Sequence, residues 1–300
     1  MTTLFDRLKA ESGAQWQAYT GHRFVAELGQ GTLPLPVFQN YLVQDYLFLI
    51  QFARARALAA YKSRTLAGIQ HASAALNAVL AETQLHIELT GRWGISRAEL
   101  EAAPEQEGTV AYTRYVLDAG LAGDLVELSV ALAPCVIGYA EIGRSLAREL
   151  DRRRDHPYRE WIAEYSSAEY QETARAAIQQ LEALAEQSLP DQRFRELTGV
   201  FQTAARLEAG FWQQALDSTL SHPWRRPSSP PPASASRGPR RRAGDRLSPL
   251  PRRLAITSTA GTSSGQSSSR SRVPQPFLPI ASGVQPYLDS SGTTSIGTPH

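Results

Sequence analysis

From Met1 to Ser221, apolar residues recur at three- and four-residue steps almost without a break, which is the spacing of amphipathic helices. Leu4, Leu8 and Trp16 open a helical region that ends near Gly21. Gly29, Gly31 and the run Leu33-Pro34-Leu35-Pro36 read as a loop that delivers Pro36 to the first turn of a long helix reaching about Ser63. Further helices are predicted from Thr65 to Thr90, after Ser96, from Val110 to Leu121, Asp124 to Asp151, Tyr158 to Glu164, Ala168 to Gln187 and Pro190 to Leu220. No segment alternates with period two, and βαβ spacing, internal repeats and heptad seams are missing. The pattern predicts an all-α bundle whose most apolar helices lie at its centre.

After residue 221 the pattern stops. Residues 222–300 are dominated by Ser, Pro, Gly, Thr and Arg, with Pro230, Pro231 and Pro232 barring a continuing helix. So little apolar content cannot offset the chain entropy of ordering, and this tail is expected to be disordered. The domain reading is therefore a helical body over 1–221 and a tail over 222–300.

Charge divides at the same place. The tail carries eleven Arg against Asp245 and Asp289, a net +9, whereas the body has 20 basic and 27 acidic residues, a net −7. The overall +2 averages two unlike segments. A mildly acidic body argues against nucleic acid as its partner. The basic tail fits an RNA- or membrane-surface-binding segment, but fits better an extension without a role of its own, such as a read-through or frame-shifted end. The single cysteine, Cys135, excludes an intrachain disulfide and a thiolate metal cluster. The N-terminus lacks the apolar core of a signal peptide. The most apolar stretch, Leu125 to Ala140, is interrupted by Glu127 and Ser129 and reads as too short to span a bilayer. These features point to a cytoplasmic protein with no membrane partner.

Four groups could carry chemistry. Cys135 follows Pro134 inside an apolar helix, where proline removes one backbone hydrogen bond and bends the helix beside the thiol, and Tyr139 shares its face one turn on. Glu208 sits on a face with Phe211 and Trp212, which would desolvate it and raise its pKa toward acid–base use. Asp45 interrupts the apolar run NYLVQDYLFLIQF and needs a partner if buried, which a bidentate ligand edge would supply, as would an arginine or a tyrosine. Glu82 and His86, with Glu88 nearby, allow a metal site, but their spacing is Glu-x-x-x-His without a second such motif, so an internal hydrogen-bonded pair is favoured and no metal is expected. On spacing alone, inert packing of Cys135, a rim position for Glu208 and a purely structural aromatic stripe (Tyr46, Phe48, Tyr112, Tyr165) stay open.

The segments GTLPLPVFQNYLVQDYLFL, AYTRYVL, LAPCVIGYAEIG, HPYREWIAEYSS and LEAGFWQQAL, in this order and spacing, resemble the TenA family, also called thiaminase II or aminopyrimidine aminohydrolase. The resemblance covers about residues 3 to 220. It implies a haem-oxygenase-like helical fold, a homotetramer, and catalysis without cofactor. The reaction it implies is thiamin salvage, hydrolysing 4-amino-5-aminomethyl-2-methylpyrimidine to the hydroxymethylpyrimidine and ammonia. By the same resemblance Cys135 is the nucleophile and Glu208 the catalytic acid and base. Asp45 grips the ring amino group and the adjacent nitrogen, and Tyr112, Tyr139 and Tyr165 line the pocket. Phe48 departs from the pattern, because several members carry a tyrosine there that tunes the cysteine. The rival readings are a di-iron oxidase on the same fold, using Glu82 and His86, and a non-catalytic pyrimidine-binding or regulatory protein.

Overall fold

The computed structural model describes residues 2–218 except 154 and 186–188. Twelve α-helices are present among the described residues, and no strand: α1 (Leu4–Glu11), α2 (Gly13–Thr20), α3 (Arg23–Gln30), α4 (Leu35–Lys62), α5 (Leu66–Arg92), α6 (Arg97–Ala102), α7 (Glu107–Ala122), α8 (Leu125–Ala133), α9 (Tyr139–Arg152), α10 (Arg159–Ser166), α11 (Ala168–Ala185) and α12 (Asp191–Asp217). The tail expected to be disordered, 222–300, lies outside the described residues.

Local chemistry sets the boundaries. Thr3, Ser96 and Asp124 each cap a helix by accepting from the N3 backbone amide, while Asp6, Glu99 and Glu127 return the bond to the cap, so the orphan amides of the first turn are satisfied. Thr65 caps α5 by accepting from the Gly68 amide. The first predicted helix is in fact two, broken at Ser12. A third, α3, occupies residues the pattern assigned to no helix. His22 caps its start by accepting from the Phe24 amide, and Gly31 closes it in the left-handed region at φ 69°.

Two long helices, α4 and α5, pack along one another, and α12 lies against α2, α4, α7 and α8. The centre is aromatic: Trp212 stacks on Phe24 with ring centroids 4.6 Å apart, and Tyr19 and Tyr41 close around it. The helical span from Leu125 to Leu150 runs on without a break, so by length and composition it could cross a membrane, contrary to the expectation that the apolar run is too short. However, 72% of its most apolar window is buried, spent on packing inside the bundle. This is a core helix.

Within that span, Pro134–Gly138 forms a π-helical turn. A proline inside a helix lacks the amide that the i→i−4 ladder needs, and a widened turn absorbs the defect without the simple bend expected from the sequence. The Tyr19 hydroxyl donates to the Pro134 carbonyl at 3.1 Å and pins the turn. Gly138 is required there, since a Cβ would lie 2.3 Å from the Tyr19 ring.

Candidate active site

The π turn presents Cys135 to a cavity lined also by side chains from seven α-helices. Asp45, Phe48 and Phe52 come from one face of α4, at three- and four-residue steps, and Glu82 from α5. Tyr112 on α7, Tyr139 on α9, Tyr165 on α10 and Tyr170 on α11 supply phenols, and Glu208 and Phe211 come from α12. All seven residues singled out as site residues therefore share one cavity. Trp212 does not reach it and belongs to the core.

The walls are aromatic and stacked. Phe48 lies against Tyr112 (centroids 5.5 Å, planes 21° apart) and against Phe52 (5.7 Å, 21°). Tyr139 and Tyr165 meet at 4.9 Å, and Tyr165 meets Tyr170 edge-on at 4.8 Å. Rings this close pack on one another and form a continuous aromatic wall, against which a flat heteroaromatic ligand would lie.

The polar groups are few and poorly satisfied. Glu208 is 1% exposed, and burial pushes its carboxyl up to about 8, with the charge of Asp45 adding to the shift. The Tyr112 hydroxyl faces it and opposes the shift, yet the approach falls short of a full hydrogen bond: Glu208 Oε1 and the Tyr112 hydroxyl are both buried without a partner among the described residues. Atoms in that condition are costly in a folded core and point to a ligand that completes them. Burial also raises Asp45, to about 7, against a hydrogen bond from Tyr41. The Cys135 thiol is driven well above its usual range by burial and by the neighbouring Glu208, and it donates to the Leu132 carbonyl at 3.0 Å. Arg56, on α4, acts in the opposite sense on the thiol.

The expected Glu82–His86 pair is not formed. His86 Nε2 lies 2.9 Å from the Leu42 carbonyl, which can only accept, so that nitrogen carries the proton. Burial lowers the His86 pKa to about 4, so the ring is neutral, and its Nδ1 lone pair faces Asp45 Oδ2 at 3.7 Å. This contact is not an ion pair. Glu82 instead lines the cavity, and its Oε2 is buried without a partner among the described residues. Among the described residues no three His, Cys, Asp or Glu side chains converge to hold a metal ion, so the donor set does not fit the di-iron alternative.

Phe52 and Tyr170 were not singled out from the sequence. Phe52 lies seven residues after Asp45, two turns along the same face, and that spacing could have found it. Nothing local marks Tyr170, because its place depends on how α11 packs.

Comparison with known proteins bears on this arrangement. Residues 10–218 match the model of the TENA/THI-4/PQQC family. The aminopyrimidine aminohydrolase of Halalkalibacterium halodurans is 39% identical over 207 residues, covering 68% of this chain and 92% of that one. A TenA family transcription regulator from a Silicibacter species, solved by crystallography, is 43% identical with a TM-score of 0.66, covering 71% of this chain and 96% of that one. A domain with a heme oxygenase-like fold from Shewanella denitrificans is only 13% identical, yet superposes with a TM-score of 0.57 over 72% of this chain and 93% of its own. The fold is heme oxygenase-like.

Proposed function

The chain belongs to the TENA/THI-4/PQQC family, and from that premise we propose that it is an aminopyrimidine aminohydrolase of the thiaminase II type, acting in thiamin salvage by cysteine nucleophilic catalysis. One observation carries the reading: the only thiol in the chain and a buried carboxyl raised to about 8 line the same aromatic cavity, with a second acid, Asp45, across it. The substrate is 4-amino-5-aminomethyl-2-methylpyrimidine.

Each group has a task that its surroundings suit. Asp45 holds the ring amino group and adjacent nitrogen and stabilises the protonated, electron-poor ring. The Cys135 thiol then adds across a ring carbon–nitrogen double bond, its sulfur bonding to the carbon and its proton passing to the nitrogen, which breaks aromaticity. Electrons returning through the ring expel the amine, which takes the Glu208 proton and leaves as ammonia. Water adds at the exocyclic carbon and gives its proton to Glu208. The Cys135–carbon bond breaks last, the ring nitrogen returning its proton to the sulfur, which restores the aromatic ring and the thiol. A carboxyl near 8 is protonated at neutral pH, ready to serve as the acid, and basic enough to recover its proton from water. Phe48 and Tyr112 stack on the ring, and Tyr139 and Tyr165 complete the wall.

A homotetramer goes with this reading, supported by large apolar side chains left in solvent on α4, α5 and α7, among them Tyr61, Leu66, Leu80 and Leu121. A cytoplasmic location, suited to a reduced thiol nucleophile, goes with it also. The test is direct: purified protein and the aminomethylpyrimidine should yield ammonia and the hydroxymethylpyrimidine in equal amounts. Binding without turnover would favour a non-catalytic pyrimidine-binding protein.

A further inference from the structure

The mechanism above leaves one acid of the cavity unused. Glu82 lies on α5, the helix packed along the Asp45-bearing α4, and its carboxylate turns into the space enclosed by Asp45, Tyr165 and Tyr170. Its Oε2 is buried and has no hydrogen-bond partner among the described residues. With Asp45 and Glu208 it makes three carboxyl groups facing one cavity, and among the described residues that line it there is no Lys, Arg or His. Three acids in one desolvated space cannot all ionise while it is empty, because each charge loses its hydration and repels the others. Consistent with that, burial, Asp45 and Glu164 all push the Glu82 carboxyl well above the ordinary range. A ligand that brings positive charge and N–H donors removes both penalties together. An uncharged ring of the same shape removes neither.

We propose that Glu82 is a specificity-determining residue that receives a protonated nitrogen of the ligand, so that with Asp45 it makes the cavity select a cationic aminopyrimidine over an uncharged pyrimidine of the same size. The inference rests on the hydrolase reading for the identity of the ring, but it concerns binding and not the cysteine step. It also gives the Glu-x-x-x-His pattern a division of labour. His86 is held by the Leu42 carbonyl and backs Asp45 from outside the cavity, while Glu82, one turn earlier, reaches inside.

The experiment measures binding in the full-length chain carrying Cys135→Ser, so that turnover does not intrude. Two probes are titrated by calorimetry near pH 6: the aminomethylpyrimidine, a cation, and its uncharged counterpart with 4-oxo and 5-hydroxymethyl groups. Glu82→Gln keeps the shape and removes the charge. It should weaken the cation tenfold or more while changing the affinity for the uncharged probe less than about twofold. A structural role would weaken both alike. Repeating the titration in buffers of different ionisation enthalpy counts protons released. The Glu82 parent should release more on binding the cation than the Gln variant does, and none on binding the neutral probe. If Glu82→Gln does not fold, proton release in its parent still decides the matter: release of no more than one proton with the cation overturns the proposal, because Asp45 alone would supply it. Equal weakening of both probes, or an unchanged preference, overturns the role of Glu82 and leaves the hydrolase reading standing. Failure of both pyrimidines to bind the Cys135→Ser protein and the wild type overturns both readings.

Discussion

The Tyr19 hydroxyl donates to the carbonyl of Pro134 at 3.1 Å, tying α2 to the π-helical turn that presents Cys135. The same ring fills the space a side chain at position 138 would need. Gly138→Ala should therefore push Tyr19 aside, cost about 1–3 kcal/mol of stability, and lower kcat more than it changes KM, because the sulfur moves. Tyr19→Phe should show a milder form of both effects. Melting curves and steady-state rates check this. An unaltered kcat in Gly138→Ala would mean that the turn does not position the thiol.

Glu208 carries a prediction with a definite sign. Its folded pKa of about 8 lies above the ordinary carboxyl value of 4.5, so the folded state holds this proton more tightly than the unfolded chain. The stability it contributes is fully present below about pH 4.5 and is lost as pH rises through 8. Asp45, raised from 3.8 to about 7, acts in the same direction. The ligand-free protein should thus melt at lower temperature at pH 9 than at pH 5. In Glu208→Gln the decline should be shallower by about 1.4 kcal/mol per pH unit between the two pKa values. That variant should be inactive yet more stable than wild type at pH 9. A parallel pH profile in the two proteins would show that Glu208 is not the group responsible.

The same carboxyl shapes activity. Since its protonated form delivers the proton to the departing amine, kcat/KM should fall on the alkaline side with an apparent pKa near 8 in the free enzyme. A rate that keeps rising to pH 10 would assign the alkaline limb to another group.

Phe48 stacks on Tyr112 but offers no hydroxyl to the thiol. Phe48→Tyr should raise kcat on the aminomethylpyrimidine with little change in affinity, since one hydrogen bond to a thiolate contributes about 1.5–3 kcal/mol. No gain at any pH would indicate that Cys135 is activated without help from this position, with Arg56 the charged group that already favours its thiolate.

Every cavity residue precedes Asp217, and the family match ends at residue 218. Ending the chain after Trp224 should leave the melting temperature within a few degrees and the rate unchanged, while lowering the pI, because the removed segment is basic. A large loss of either would place part of the functional body beyond residue 224.

Much of this architecture was legible in the chain because helices obey a local period. Thr65, Ser96 and Asp124 mark their own helix starts, and the observed boundaries fall within a few residues of the apolar pattern. The helix α3 escaped because its signals are a histidine cap and a glycine read as loop. At the cavity, Asp45, Cys135 and Glu208 stood out as polar or reactive groups in apolar runs, which is a local anomaly. Tyr170 and the inward turn of Glu82 did not, because both follow from how α5 and α11 pack against distant helices. The π turn was half visible: Pro134 announced a broken ladder, but not that the defect would be absorbed by widening the helix.

The central claim is that Cys135 forms the bond that makes the pyrimidine reactive. Ammonia release from the aminomethylpyrimidine should be followed for wild type and Cys135→Ser side by side, with ligand affinity and melting temperature measured on both. A hydroxyl is close in size to a thiol but far less nucleophilic near neutral pH, so the Ser variant should fold and bind as wild type does while its rate falls at least a thousandfold, on the order of 4 kcal/mol in the barrier. Retention of more than about a tenth of the wild-type rate would contradict nucleophilic catalysis by this residue.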